Sequence, residues 1–210
     1  MNTLKERVRS AVREDVAIVP YDSRWPDLFR QEAAHLLACI PSGLILRLEL
    51  FGSTAVPGLA AKPIVDMLVE VSSLRAARTE IAPVLQSQGY DYFWRPSFGD
   101  AVPPWYAFFI KRTKSGIRTH HIHMVTLHRT FQEHWERLLF RDYLISHPEI
   151  ARDYERLKVQ LAAAHPYDRV AYTNGKTVFI ERITAETRKS PDGVARGCPP
   201  GAPRCPWLPG

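Results

Sequence analysis

The sequence predicts an α/β (α+β) fold, a mixed sheet of roughly four or five strands with helices before, between and after it. Three observations carry this expectation. Short runs rich in β-branched and aromatic residues alternate with stretches of helical spacing up to about residue 127. Turn formers separate them: Pro41-Ser42-Gly43, Gly89 and Lys114-Ser115-Gly116. From Thr130 onward the spacing is helical, which adds a C-terminal helical segment.

Taken in order, residues 27–38 place Leu28, Phe29, Ala33, Leu36 and Leu37 at helical spacing, with Arg24-Trp25-Pro26 leading in. Residues 44–51 read as a strand, and 64–71 as a second one. Residues 74–88 form a helix closed by Gly89, and 90–94 a short strand. Residues 105–112 and 118–127 are strands joined by the 114–116 turn in a hairpin. Helices follow over 131–146, 148–165 and 168–187.

The chain has 210 residues, and its 45% hydrophobic and 24% charged shares are ordinary for a globular protein. Residues 16–187 form the expected domain, preceded by an N-terminal extension (1–15). The stretch 188–210, with six prolines, is a Pro/Gly-rich tail expected to hold no regular element. No apolar run has the length of a membrane span, and residues 1–15 lack a signal-peptide core, so a cytoplasmic location is expected. The three cysteines, Cys39, Cys198 and Cys205, give neither a disulfide framework nor a zinc spacing. A net charge of +6 favours phosphate-bearing partners, yet much of it lies in the two ends. Zinc-finger spacings, RGG repeats and aromatic-basic stripes are missing, so nucleic acid is not an expected partner.

Residues 47–71, RLELFGSTAVPGLAAKPIVDMLVEV, carry the chemistry. A strand ends at Phe51, and Gly52-Ser53 follow where the backbone must turn and can approach an anion. Asp66 lies inside a strand of apolar neighbours, where a carboxylate is costly unless paired or metal-bound. A P-loop is excluded because five residues separate Gly52 from Gly58 and Ala60-Ala61 precede Lys62. The dinucleotide fingerprint G-x-G-x-x-G is absent as well. The remaining order is strand, Gly-Ser, short helix, strand with Asp. It is similar to the signature of the DNA polymerase beta nucleotidyltransferase superfamily.

Within that superfamily the run GSTAVPGLAAKPIVD resembles the core motif of the GrpB family. Supporting blocks are VPYDSRWPDLF, RTHHIHMV, FRDYLISHP, YERLK and YTNGKTVFI, so the resemblance spans about 165 residues. It implies a nucleotidyltransferase-like sheet. It also implies an occasional fusion partner, dephospho-CoA kinase, whose label does not transfer to a chain without a P-loop.

In the superfamily, Gly-Ser holds a nucleotide triphosphate and a D-x-D pair, with a third carboxylate, holds divalent metals. By that resemblance Gly52 and Ser53 are nucleotide-binding and Asp66 is catalytic and metal-binding. Leu68 occupies the second carboxylate position, so the usual pair is broken. Glu70 shares the strand face of Asp66 but stands roughly 13 Å along it, too far to share one ion. His121 and His123, two apart in a strand, face the same way and complete a candidate metal set with Asp66. Imidazole suits Zn or Mn better than Mg; the alternatives are a core histidine or a direct phosphate contact. Arg118 and Lys62 are candidate phosphate contacts, each with a plain surface role as the alternative. Lys176 is another candidate phosphate contact, with a helix-surface lysine the simpler reading. Trp25, Trp105, Tyr106 and Trp135 read as core or rim packing, with Trp105 or Tyr106 available to stack on a base.

Two functions follow. One is a metal-dependent transfer (Mg, Mn or Zn) of a nucleotidyl group from an NTP to a small acceptor. The other is a non-catalytic nucleotide- or phosphometabolite-binding module of the same fold. Acceptor, base preference and oligomeric state stay open.

Overall fold

Strand alternation sorts the apolar residues onto two sheet faces, and each face acquires its own helical cover. The computed structural model describes residues 15–97 and 102–189. It contains β1 (Ile45–Phe51), β2 (Val65–Val71), β3 (Asp91–Pro96), β4 (Trp105–Arg112) and β5 (Arg118–Val125). They form one mixed sheet in the order β1-β2-β5-β4-β3. β2 and β5 pair in parallel, and the other neighbours are antiparallel.

The helices are α1 (Trp25–Cys39), α2 (Leu74–Ala76), α3 (Ala82–Ser87), α4 (Gln132–Ser146), α5 (Pro148–Ala164), α6 (Arg169–Asn174) and α7 (Thr177–Lys189). A π-helical turn, Ala77–Ile81, joins α2 to α3. Ser73 caps α2 through the backbone N–H groups of Arg75 and Ala76, at 3.1 and 3.3 Å. Asp168 caps α6 in the same way, accepting from Val170 and Ala171 at 3.0 and 2.9 Å. The α+β class, the mixed sheet and the C-terminal helical segment agree with the sequence reading.

On one face, Val65, Met67, Val69, Ile122 and Met124 pack against Trp25 and Leu36 of α1 and Leu85 of α3. On the other, Leu68, Phe108 and Val125 meet Trp135 and Leu138 of α4. Each such side chain contributes about 1.5–3 kcal/mol when fully buried. A third cluster joins Val56 and Leu59, between β1 and β2, to Phe140 and Leu144 of α4, Tyr154 of α5 and Ile183 of α7. The C-terminal helices are thereby fastened to the β1–β2 connection.

That connection is pinned along its length. Val19 and Ala61 exchange backbone hydrogen bonds of 2.9 and 3.0 Å. Glu155 of α5 accepts from the Ala60 N–H at 2.8 Å, and the Lys158 ammonium donates to the Ala60 carbonyl. Lys158 is buried, and burial lowers its pKa to about 7.

Several boundaries differ from the sequence reading, among them the strand expected over 90–94, which runs Asp91–Pro96. The expected helix over 168–187 is broken at Gly175-Lys176, where the Lys176 N–H bonds the Thr173 carbonyl in a tightened turn. A Cβ on Gly175 would stand 2.5 Å from a methyl of Leu161 on α5, so a side chain there requires Leu161 to shift. The last strand ends at Val125 rather than 127, ahead of the cap in which the His128 side chain accepts from Thr130. α7 runs through Lys189, past the expected tail boundary at 188. The expected extension over residues 1–14 and the tail from 190 onward, with Cys198 and Cys205, lie outside the described residues.

Leu68, at the position of the missing second carboxylate, is fully buried between the sheet and α4. Restoring the acid by Leu68→Asp buries an unpaired charge and is expected to cost about 3 kcal/mol or more. Urea unfolding at pH 7 measures this, and added Mg or Zn leaves the loss in place.

Candidate functional site

The short turn after β1 shapes the centre of the site. Gly52 has φ 73° and ψ −169°, a region open in practice to glycine alone. A Cβ there would lie 2.7 Å from the Asp66 Oδ2, so the missing side chain also admits the carboxylate. Ser53 opens a 3₁₀ turn, Ser53–Ala55, and its hydroxyl lies beside the Tyr154 phenol of α5.

Asp66 faces His121 across the parallel β2–β5 pair, as register partners. His121 Nδ1 and Asp66 Oδ1 are 2.9 Å apart, with the two side chains 14% and 29% exposed. The Arg118 Nη1 stands 3.1 Å from His121 Nε2. A guanidinium only donates, so Nε2 accepts and the proton sits on Nδ1, which donates to Asp66. His121 is therefore neutral. Burial pulls its pKa to about 4 against the raising effect of Asp66, and Arg118 and Arg169 add to the fall. Burial would raise the Asp66 carboxyl, but the His121 hydrogen bond and the charges of Lys62 and Lys176 hold it below its ordinary range.

Cations surround this pair. Lys62 Nζ lies 4.9 Å from the centre of the Tyr172 ring, and Lys176 Nζ 4.4 Å from it. Tyr172 is buried, so its one ring stands within reach of two ammonium groups that both feel the charge of Asp66. Burial lowers Lys62 to about 7, with Arg169 and Lys176 adding and Asp66 opposing. Burial lowers Lys176 to about 8, Asp66 again opposing and Arg169 adding. Arg169, Tyr172 and Lys176 come from one helical side of α6 and the turn beyond it, at spacings of three and four. Lys176, in the break after Gly175, stands beside Tyr172 under the charge of Asp66, so of its two sequence readings the helix-surface one does not hold.

His123 does not join Asp66 and His121. Its register partner is Leu68, and it sits among Phe51, Tyr106 and Phe108, with ring centroids at 5.3, 5.6 and 4.8 Å. Its Nδ1 is buried without a hydrogen-bond partner. The sequence correctly assigns both histidines to one strand face; the difference is that each step along the strand carries the side chain to a different neighbour. Among the described residues no group of three His, Cys, Asp or Glu is arranged to hold a metal ion. Glu70 is register partner to Arg47 and Val125, away from the pair. Trp135 and Tyr106 are core residues, the Trp135 Nε1 donating to the Thr126 carbonyl at 3.2 Å.

The sequence reading missed Arg137, Tyr154, Arg169 and Tyr172. Tyr154 and Tyr172 sit in the blocks YERLK and YTNGKTVFI, so the signal was present as resemblance without a role. A groove of about 280 Å³ lies between the β1–β2 connection and α4–α5, lined by Val56, Leu59 and Leu144 together with Arg152 and Glu155. Asp66, Lys62, Arg118, Arg169 and Lys176 do not line it.

The family described as GrpB protein matches residues 15–186. This chain belongs to the GrpB family. The glutamate-rich protein GrpB of Alkalihalophilus pseudofirmus is 35% identical over 177 residues, covering 82% of this chain and 95% of that protein. The crystal structure of the conserved protein GrpB from Enterococcus faecalis is similar with a TM-score of 0.68 and 35% identity, over 81% of this chain and 96% of that one. An 85-residue stretch is 36% identical to part of the dephospho-CoA kinase of Mycolicibacterium paratuberculosis, of which it covers 20%. This agrees with the expected association of the GrpB family with that kinase. No helix among the described residues is long and apolar enough to cross a membrane.

Two outcomes follow from the Asp66 pocket. Gly52→Ala forces a Cβ into the carboxylate and a strained φ, and is expected to cost about 2–4 kcal/mol in denaturant unfolding. The second concerns acid. A histidine at about 6.5 when unfolded and about 4 when folded takes up its proton in the unfolded state first. His121 therefore withdraws stability as pH falls from about 6.5 to about 4, by up to ~1.4 kcal/mol per pH unit. Below that range, protonation of Asp66 removes its contribution too. Unfolding free energies of wild type and His121→Asn across this window should differ in slope by close to one proton; parallel curves contradict the assignment.

Proposed function

We propose that the cleft around Asp66 binds a phosphorylated small molecule, a nucleotide or phosphometabolite, through its cations. The observation that supports this is the charge balance: Lys62 feels the like charges of Arg169, Lys176 and Arg118 against the single opposite charge of Asp66. Crowded, partly desolvated cations are stabilised by an incoming anion, and phosphate oxygens accept from several donors at once. Gly52, Ser53 and the following turn offer a close backbone approach on the same side.

A second reading, nucleotidyl transfer from an NTP to a small acceptor, draws on the order strand, Gly52-Ser53, turn, Asp66 in the β2 strand. Its expected metal does not fit the donor set as a resident ion. Leu68 offers no ligand, His121 Nε2 faces Arg118, and His123 Nδ1 lies within the aromatic cluster. Asp66 alone remains, so chemistry in this reading depends on oxygen ligands that the NTP itself would bring.

Calorimetric titration with inorganic phosphate and with each NTP, with and without Mg, Mn or Zn, separates the readings. For anion binding, Lys62→Ala and Lys176→Ala each weaken affinity by about tenfold or more, and Asp66→Asn tightens it in metal-free buffer. Affinity falls as pH rises through the values of about 7 and 8 at which Lys62 and Lys176 lose their protons. Metal-dependent pyrophosphate release with an acceptor, abolished by Asp66→Asn, selects transfer instead.

A further inference from the structure

The sheet face that carries Asp66 and His121 continues toward β4 and β3, and a second pair of cations lies over it. Arg95, on β3, places its guanidinium carbon 5.8 Å from the Tyr106 ring and 5.2 Å from the Phe108 ring. Arg137, on α4, stands 5.7 Å from the Phe51 ring. Neither guanidinium makes a hydrogen bond or ion pair among the described residues. Both act on His123, which lies in the aromatic floor beneath them together with the ring of His134. Arg137 also feels the charges of Arg95 and Asp66, so the pair and the Asp66 cleft are electrostatic neighbours.

Two like charges held near one another over aromatic rings repel, and ring faces compensate a cation only in part. Glu133, one turn earlier on α4, attracts Arg137 without pairing to it. A guanidinium stacked on a ring also keeps its N–H edge available, the geometry that meets a planar or tetrahedral oxyanion through two bonds. Asp66 acts on Arg137 and on Lys62 alike, so one carboxylate is the electrostatic neighbour of both cation groups.

We infer that Arg95 and Arg137 form a second anion-binding pole of the Asp66 cleft, so that its ligand carries at least two linked phosphoryl groups, as a nucleoside polyphosphate does. This rests on the phosphate reading above and adds the ligand's length and charge. The first phosphoryl group meets Lys62, Lys176, Arg118 and Arg169; the next ones extend over Phe51 and Phe108 to the arginine pair. A monophosphate reaches one pole alone.

Titration of the full chain with inorganic phosphate, pyrophosphate and tripolyphosphate tests this. The wild type should bind tripolyphosphate about tenfold or more tighter than phosphate. Arg95→Gln and Arg137→Gln should each remove most of that advantage while leaving phosphate affinity within about twofold. Thermal melts confirm folding, and the exposed Arg95 supplies the decisive variant where Arg137→Gln does not fold. Phosphate binding with no preference for longer chains, or a preference unaffected by Arg95→Gln, overturns the second pole and leaves the phosphate reading intact. No binding of any of the three anions overturns both.

Discussion

A carboxylate on a strand that is otherwise buried must find its partners within the fold, and the position of Asp66 sets the terms for its surroundings. Gly52 has to lack a side chain because Asp66 occupies the space where one would stand. His121 has to be neutral because Arg118 donates to one of its nitrogens, which leaves the other to donate to Asp66. Three elements, the β1 turn, β2 and β5, are thus tied by one acceptor. The central contact is not local: His121 stands 55 residues from Asp66 in the chain.

The C-terminal helices extend this arrangement. α5 grips the β1–β2 connection through Glu155 and Lys158, and presents Tyr154 to Ser53. α6 and the break after it turn Arg169, Tyr172 and Lys176 toward the same carboxylate. Bringing cations together in partial burial costs solvation, which is why Lys62 and Lys176 lie close to losing their protons near neutral pH. A cleft held in that state gains from an anion more than a fully solvated patch of the same charge would. The third apolar cluster, around Phe140, Leu144 and Ile183, supplies the packing energy that keeps the helices in place.

The same charges argue against reading the superfamily's chemistry directly onto this chain. A two-metal centre needs several carboxylates converging within a few ångströms. Here Leu68 belongs to the core beneath α4, and the neighbours of Asp66 are donors and cations. Family membership and sheet order are compatible with either a binding protein or a transferase, because function resides in the site and not in the fold.

What the sequence determined by itself is the set of elements and their faces. The period of two puts Asp66 and Leu68 on one face of the 64–71 strand and His121 and His123 on one face of the 118–127 strand, and the run GSTAVPGLAAKPIVD marks the turn that needs a glycine. These are local properties, since side-chain direction in a strand and backbone freedom at Gly52 depend on the chain within a few residues. Tertiary structure alone decided which members of these faces meet. The β2–β5 register pairs Asp66 with His121 and Leu68 with His123, so one histidine joins the carboxylate and the other an aromatic floor. It also decided that the stretch which reads as one continuous helix is broken at Gly175-Lys176, with Lys176 brought beside Tyr172. Register and helix docking are fixed by contacts between residues far apart in the chain, which no local periodicity encodes.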